Sequence, residues 1–431
     1  MPTLRTGVFI LASVVPASMQ QQRGASAVQS GLSPCHSLVV NTPTPLRVGD
    51  DGKHIAQFPV VASDERNKVV MGNDFLYDGN PIHPRSLTVW SVEGRDLKRP
   101  AGDFTFAFPR GIMRGGVLHL LWAEPSDDAR TTDMYLWPGS LTSIWAAEYS
   151  QSQGWTTPRR VYSGTINTGP GFSPTVGSAA RASLVEFGST PQKDHSAIIT
   201  LRYVEDDWRV MLIPAGRTAL YPSVVEDGTT IMAVFVDAYI GDGYDDNSIF
   251  FVRSRDDGQT WSRPLLLSRS GHRGAFDTQL HLDRNHQLHL IWRRVESSSD
   301  DAGGRPFSPG AGRDVLGHML SPDLGRAWTA AQELALPGPA YRARTGIDSC
   351  GLVHVFYRDL SRGGDKLDVG HAIWNGSWSS PALVLDKWDA ADLTVHQDLR
   401  GALSLVFRGR ERPATPSQRT SPFRMLLSRL E

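Results

Sequence analysis

Two arginines one residue apart follow a tyrosine in Ala340-Tyr341-Arg342-Ala343-Arg344-Thr345, a stretch that reads as a β-strand. Alternation along a strand puts Arg342 and Arg344 on one face. Two guanidinium forks there match the geometry of a carboxylate, which suits an acidic sugar. Arg110 and Arg114, in Pro109-Arg110-Gly111-Ile112-Met113-Arg114, open an earlier unit in a similar way. Arg358 and Asp359 follow an aromatic that ends another strand. Asp277 and His281, in Phe276-Asp277-Thr278-Gln279-Leu280-His281, alternate on a further strand and are expected to face the same space.

Metal chemistry finds less support. His119, His289 and His354 recur in Val117-Leu118-His119-Leu120-Leu121-Trp122, Gln287-Leu288-His289-Leu290-Ile291-Trp292 and Leu352-Val353-His354-Val355-Phe356-Tyr357. Residues repeated in one register mark packing, because a repeat holds its copies apart. The acidic loop from Asp237 to Asn247 is the better metal candidate, with Asp237, Asp242, Asp245 and Asp246 around Gly241 and Gly243. Hard oxygen ligands suit Ca2+, but the spacing matches no defined loop, and a solvated acidic loop is the plainer reading. No other cofactor is expected. The chain has no Gly-x-Ser-x-Gly, no phosphate-binding glycine loop and no Cys-x-x-Cys.

The elements that position these residues are announced by turns. Ser254-Arg255-Asp256-Asp257-Gly258-Gln259-Thr260-Trp261 reads S-x-D-x-G-x-T-W, and Ser321-Pro322-Asp323-Leu324-Gly325-Arg326-Ala327-Trp328 is a looser copy. In such a turn the Asp carboxylate accepts backbone N–H bonds, Gly takes the positive φ, and Trp packs the turn onto a sheet. On Ser254, Asp256, Gly258, Thr260, Trp261 and Ser321, Asp323, Gly325, Trp328 the chain resembles the Asp-box (bacterial neuraminidase repeat) proteins of the sialidase-like superfamily. The resemblance implies that each box joins the two outer strands of a β-propeller blade. It also implies a carboxylate clamp of three arginines, a Tyr nucleophile activated by a Glu, and an Asp acid/base. Placed by position, Arg342 and Arg344 would be the clamp, Tyr341 the nucleophile or its orienter, and Asp74 the proton donor. The family's Arg-Ile-Pro is absent, and Phe108-Pro109-Arg110-Gly111-Ile112 has another order. Some Asp-box propellers are polysaccharide lyases, in which a His–Tyr pair takes the proton beside a uronate carboxylate and an arginine stabilises the enolate. A non-catalytic extracellular platform for glycan or protein is the alternative that the missing motif favours.

Short alternating apolar runs separated by Gly, Asp, Asn and Pro predict antiparallel strands throughout. Five units show an inner strand ending in an aromatic, and four show an outer hairpin closed by Trp155-Thr156, Trp261-Ser262, Trp328-Thr329 or Trp378-Ser379. The fold class is therefore all-β, a propeller of four-stranded blades near 56–102, 103–165, 172–217, 218–271, 275–338, 340–387 and 391–431. Seven is the count and six the alternative that the resemblance implies. The segment 36–48 is expected to close the last blade. Long polar loops, Asn73 to Arg85, Glu124 to Ser140, Asp237 to Asn247 and Val295 to Asp314, should crowd one face and carry binding residues.

Lys+Arg (44) nearly equals Asp+Glu (45), so the net charge of −1 gives no footprint for nucleic acid or a membrane surface. Arg5 before the apolar run Gly7 to Ala17, then Ala25-Ser26-Ala27, reads as a signal peptide over 1–27, too short to span a bilayer. A single propeller domain over 28–431 is then expected outside the cytoplasm, secreted or periplasmic, with a glycan or glycoconjugate as partner. Export permits a disulfide between Cys35 and Cys350, the two cysteines; two unpaired thiols are the alternative. Asn375-Gly376-Ser377 is a sequon that overlaps a hairpin turn.

Overall fold

The computed structural model describes residues 41, 43–46, 54–65, 67–76, 84–91, 97–104, 107–125, 141–166, 184–193, 195–217, 219–237, 248–268, 275–296, 313–361, 368–398, 400–412 and 424–430. The expected signal peptide, Cys35 and most of the long joining loops lie outside them.

Among the described residues all regular structure is β, in seven antiparallel sheets that follow one another along the chain. Blade 1 comprises His54–Ser63, Lys68–Leu76 and Pro84–Ser91. In blade 2, Ala107–Arg114 and Val117–Pro125 lead to Leu141–Ser150, on which both Gly154–Trp155 and Arg159–Ile166 pair. Blade 3 is Leu184–Pro191, Ser196–Val204 and Asp207–Pro214. Blade 4 is Leu220–Asp227, Thr230–Asp237, Ser248–Ser254 and Leu265–Ser268. Blade 5 is Ala275–Leu282, Leu288–Glu296, Arg313–Ser321 and Gln332–Ala335. Blade 6 is Ala340–Ile347, Val353–Asp359, Asp368–Trp374 and Ala382–Leu383. Blade 7 is Trp388–Gln397, Leu403–Glu411 and Arg424–Leu430, with Thr44–Pro45 added at its outer edge opposite Leu426 and Leu427. The strands that end in an aromatic are thus the second of each blade.

The core lies in the seams. Seven apolar clusters each join two consecutive blades. One sets Val60 and Met71 of blade 1 against Leu120 and Trp122 of blade 2. The last sets Val406 and Leu427 of blade 7 against Val61 and Val70 of blade 1, which closes the ring. Second strands are covered on both faces, so Ile231–Asp237 is buried without alternation. Each buried side chain of this size contributes ~1.5–3 kcal/mol, so a seam outweighs any single hydrogen bond across it at ~0.5–1.5 kcal/mol. Trp292 and Tyr357 lie flat over Gly317 and Gly370, their register partners on the third strands. A Cβ there would meet the rings at 2.2 and 2.3 Å.

Every innermost strand opens with a register shift. The first bulge residue has positive φ at Phe108 (51°), Tyr221 (47°), Asp277 (52°) and Asp392 (51°). Phe58-Pro59, Phe108-Pro109 and Tyr221-Pro222 occupy the bulge in blades 1, 2 and 4, where a missing N–H breaks no ladder bond.

The outer turns follow their sequence. Asp256 Oδ1 accepts the Thr260 N–H at 2.9 Å, Ser254 Oγ accepts the Gly258 N–H at 2.8 Å, and Trp261 Nε1 donates to the Gly258 carbonyl at 3.1 Å. The bonds from Thr260 and Ser254 hold the Asp256 carboxyl down at about 2. Asp323 and Ser321 repeat the pattern with Ala327 N–H and Gly325 N–H, both at 2.8 Å. The hydroxyl after each Trp has its own task. Thr156, Ser262, Thr329 and Ser379 accept the N–H of Glu148, Arg253, Leu320 and Ile373 at 2.9–3.0 Å, so the turn is pinned to the third strand.

Candidate functional site

Blades 5, 6 and 7 carry a charge where the aromatic of other bulges would be: Asp277, Arg342 and Asp392. Across from each bulge the second strand places an arginine directly after its aromatic, as Trp292-Arg293, Tyr357-Arg358 and Phe407-Arg408. Blade 5 then forms an ion pair from Arg293 Nε to Asp277 at 3.0 Å, and blade 7 forms its equivalent from Arg408 Nε to Asp392 at 3.1 Å. Blade 6 substitutes Arg342 for the acid. Blade 6 therefore carries Arg342, Arg344 and Arg358 on the strand segments at the end of the ring where the innermost strands begin, with Arg344 buried and its Nη1 donating to the Ala343 carbonyl at 2.8 Å.

The acids nearby are already engaged. Arg293 Nη1 binds Asp314 at 3.0 Å, and Asp314 also accepts the Ala340 N–H at 2.7 Å. Burial alone would lower the Arg293 guanidinium, but Asp277 and Asp314 overcome it and hold the pKa above its ordinary value. Burial pushes the Asp314 carboxyl up, against the pull of Arg293. Arg344 Nη1 lies 4.0 Å from Asp277, already held by Arg293 at 3.0 Å. Asp368 binds Arg412 of blade 7 at 2.5 Å, and Arg412 also holds Asp389 at 2.8 Å. Asp359 accepts the Ser361 N–H at 2.7 Å. Burial and then Asp359 raise the Tyr357 phenol, which stays protonated. The structure thus builds a rigid, ion-paired surround for an arginine-rich blade.

Other expected residues fall elsewhere. Arg342 sits in the bulge between Tyr341 and Arg344, which interrupts the alternation that would align Arg342 with Arg344. The side chains of Tyr341, Arg342 and Asp74 are outside the described residues; Asp74 lies on the second strand of blade 1, opposite Ala56 and Ser86. Arg114 ends its strand instead of opening it. Four residues beyond Arg110, at ~3.3 Å per residue, it belongs to the opposite end of the ring, where it donates to the Tyr203 carbonyl at 3.4 Å. His281 likewise lies near the far end of its strand and bonds Thr345 Oγ1 of blade 6, so it shares no mouth with Asp277. Asp237 is buried and accepts the Arg217 N–H at 3.0 Å, while Asp242, Asp245 and Asp246 lie outside the described residues. Among the described residues no cluster of three metal-ligating side chains occurs and no cysteine is free.

The histidines in register bond partners within their own blades, and His119 and His289 also pack on Tyr203 and Trp374 of the next blade. His119 Nδ1 meets Glu148 at 3.1 Å. His289 Nδ1 meets His318 Nε2, and His354 Nδ1 meets His371 Nε2, both at 3.1 Å. The partners His318 and His371, like Arg293 and Asp314, are not apparent from sequence spacing alone. The aromatic-Arg dipeptide at the end of three second strands is the signal that would have found Arg293.

No protein-family model and no curated protein matches the chain. Solved structures do. The polysaccharide lyase Uly1 is 11% identical with a TM-score of 0.51, covering 87% of this chain and 89% of that one. An ulvan lyase of a new polysaccharide lyase family is 10% identical with a TM-score of 0.50, covering 89% and 95%. The sialidase of Trypanosoma rangeli in complex with the inhibitor DANA is 10% identical with a TM-score of 0.41, covering 90% and 58%. At these identities the likeness establishes the fold. No helix among the described residues is long and apolar enough to cross a membrane.

Proposed function

We propose that this propeller is an exported, carbohydrate-active protein that takes an acidic glycan where its innermost strands begin, with blade 6 supplying the carboxylate seat. The observation that carries this reading is the charge reversal in one register, acid–arginine in blades 5 and 7 but arginine–arginine in blade 6. A uronate presents a planar carboxylate on each acidic ring, which guanidinium forks recognise side-on. The same forks would stabilise the enolate formed when a base removes the neighbouring proton, so elimination from a uronate polysaccharide is the reaction class that the site favours. The likeness to polysaccharide lyases is compatible with that class, although it speaks only to fold. The hydrolase roles of Tyr341 and Asp74 find less support, because their strands belong to blades 6 and 1 with blade 7 between them.

The purified protein should be tested against uronate polysaccharides and sialosides, following unsaturated product by absorbance and binding by affinity electrophoresis. Expected are uronate binding, unsaturated product, and a loss of affinity of ~10–100-fold in R342Q or R358Q, the loss of one charge-assisted hydrogen bond. Binding without product leaves a non-catalytic glycan platform. Absence of binding to every acidic glycan, or equal affinity in both variants, refutes the reading.

A further inference from the structure

Arg110 occupies the register that in blades 4, 5 and 7 stitches one innermost strand to the next. In blade 4, Ser223 Oγ accepts the Leu280 N–H of blade 5 at 3.0 Å. In blade 5, Gln279 accepts the Thr345 N–H and donates to the Ala343 carbonyl of blade 6, both at 3.0 Å. In blade 7, Thr394 Oγ1 donates to the Pro59 carbonyl of blade 1 at 2.5 Å. Arg110 reaches towards blade 3 and makes no such bond. Its guanidinium carbon lies 5.8 Å from the centroid of the Phe187 ring. Among the described residues the guanidinium makes one hydrogen bond, from Nη1 back to the Pro109 carbonyl at 3.1 Å. Nε is buried without a hydrogen-bond partner, in a residue only 5% exposed.

The charge persists nonetheless. Burial lowers the guanidinium to about 10, and Glu186 of blade 3 acts the other way through its field. A buried cation with one neutral acceptor is costly unless something anionic completes it. With Phe187 against its face and Nη1 engaged, the Nε edge is the side left for a partner. Gly188, at φ 105°, follows Phe187 in the facing strand and adds no side chain there.

We propose that the seam between blades 2 and 3 seats an oxyanion, a carboxylate, sulfate or phosphate group, gripped side-on by the Nε edge of Arg110. Two parallel N–H groups on that edge match two oxygens of such a group. The occupant is a free ion or an anionic substituent on a bound sugar. The inference is drawn from Arg110 in blade 2 and does not rest on the glycan reading.

The test is thermal melting of the full chain while inorganic sulfate, or sodium glucuronate in a parallel arm, replaces sodium chloride at constant ionic strength. The expected result is a saturable rise in Tm with at least one of the two ions, which disappears in R110M. A rise with sulfate points to a free ion, and one confined to glucuronate points to a sugar substituent. Without either ion, R110M should melt no lower than the natural chain, since it removes an uncompensated charge. R110K keeps the charge but lacks the fork, and should need at least tenfold more ion. The inference is overturned by no rise with either ion, by an equal rise in R110M or R110K, or by an R110M that melts several degrees lower in chloride alone, the mark of a packing residue.

Discussion

Mild acid is expected to unfold this protein from within its blades. His318, His371 and His396 are 1%, 7% and 0% exposed, and burial, then His289, His354 and Lys68 respectively, hold them at about 3 against an ordinary 6.5. Between those two values the unfolded chain binds a proton at each site and the native chain does not. Their contribution is therefore whole above pH ~6.5 and is lost progressively as pH falls towards ~3. For one such group the loss between pH 7.5 and pH 5 is ~2 kcal/mol. Three acting independently lose ~6 kcal/mol, comparable with the whole stability of many domains at ~5–15 kcal/mol. His281, held at about 4 by burial and then His289, acts in the same direction. Asp314 acts oppositely, because burial raises its carboxyl and acid relieves it. Asp256, held at about 2, is lost only in much stronger acid. Urea midpoints measured from pH 7.5 to 5 should fall steadily, and H371Q should flatten the slope by one proton, ~1.4 kcal/mol per pH unit. A midpoint unchanged across that range, or an H371Q slope equal to that of the natural chain, would refute the argument.

Two further outcomes follow from the packing around the site. R293M strands Asp277 and Asp314 in the interior and should cost ~3–5 kcal/mol in chemical denaturation, and a smaller loss would show that those acids find other partners. G370A drives a methyl into the Tyr357 ring and should cost ~1–3 kcal/mol or more, read as a drop in Tm, whereas an unchanged Tm would mean that the ring has room to shift.

Much of the fold was legible because its signals are local. Strand alternation, the Trp-Ser or Trp-Thr pairs and the Ser254 and Ser321 turns each fit within a few residues, and the sheets follow the repeat boundaries. The candidate site was legible only in part. Arg342 and Arg344 were visible as a pair, but a simple period of two cannot anticipate the bulge between Tyr341 and Arg344. The same limit misplaced Arg114 and His281, for which a residue count along the strand was the missing step. Partners such as His289 and His318, 29 residues apart, meet only because the blade folds back on itself. The aromatic-Pro dipeptides at 58–59, 108–109 and 221–222 were there to be read and mark the bulges directly.

The last sheet is assembled from both chain regions: Thr44–Pro45 pairs with Leu426 and Leu427, and Ser428 Oγ donates to the Asn41 carbonyl at 2.6 Å across 387 residues of sequence. The chain between the two halves, 387 residues of sequence, must be made before that clasp can fasten. Until then the growing chain displays an open strand edge to its neighbours, an invitation to mispairing that slow, long-range closure prolongs. Cells making this protein in quantity should need holding chaperones until that sheet is complete, and a clipped or blocked clasp should leave chains prone to linking end to end.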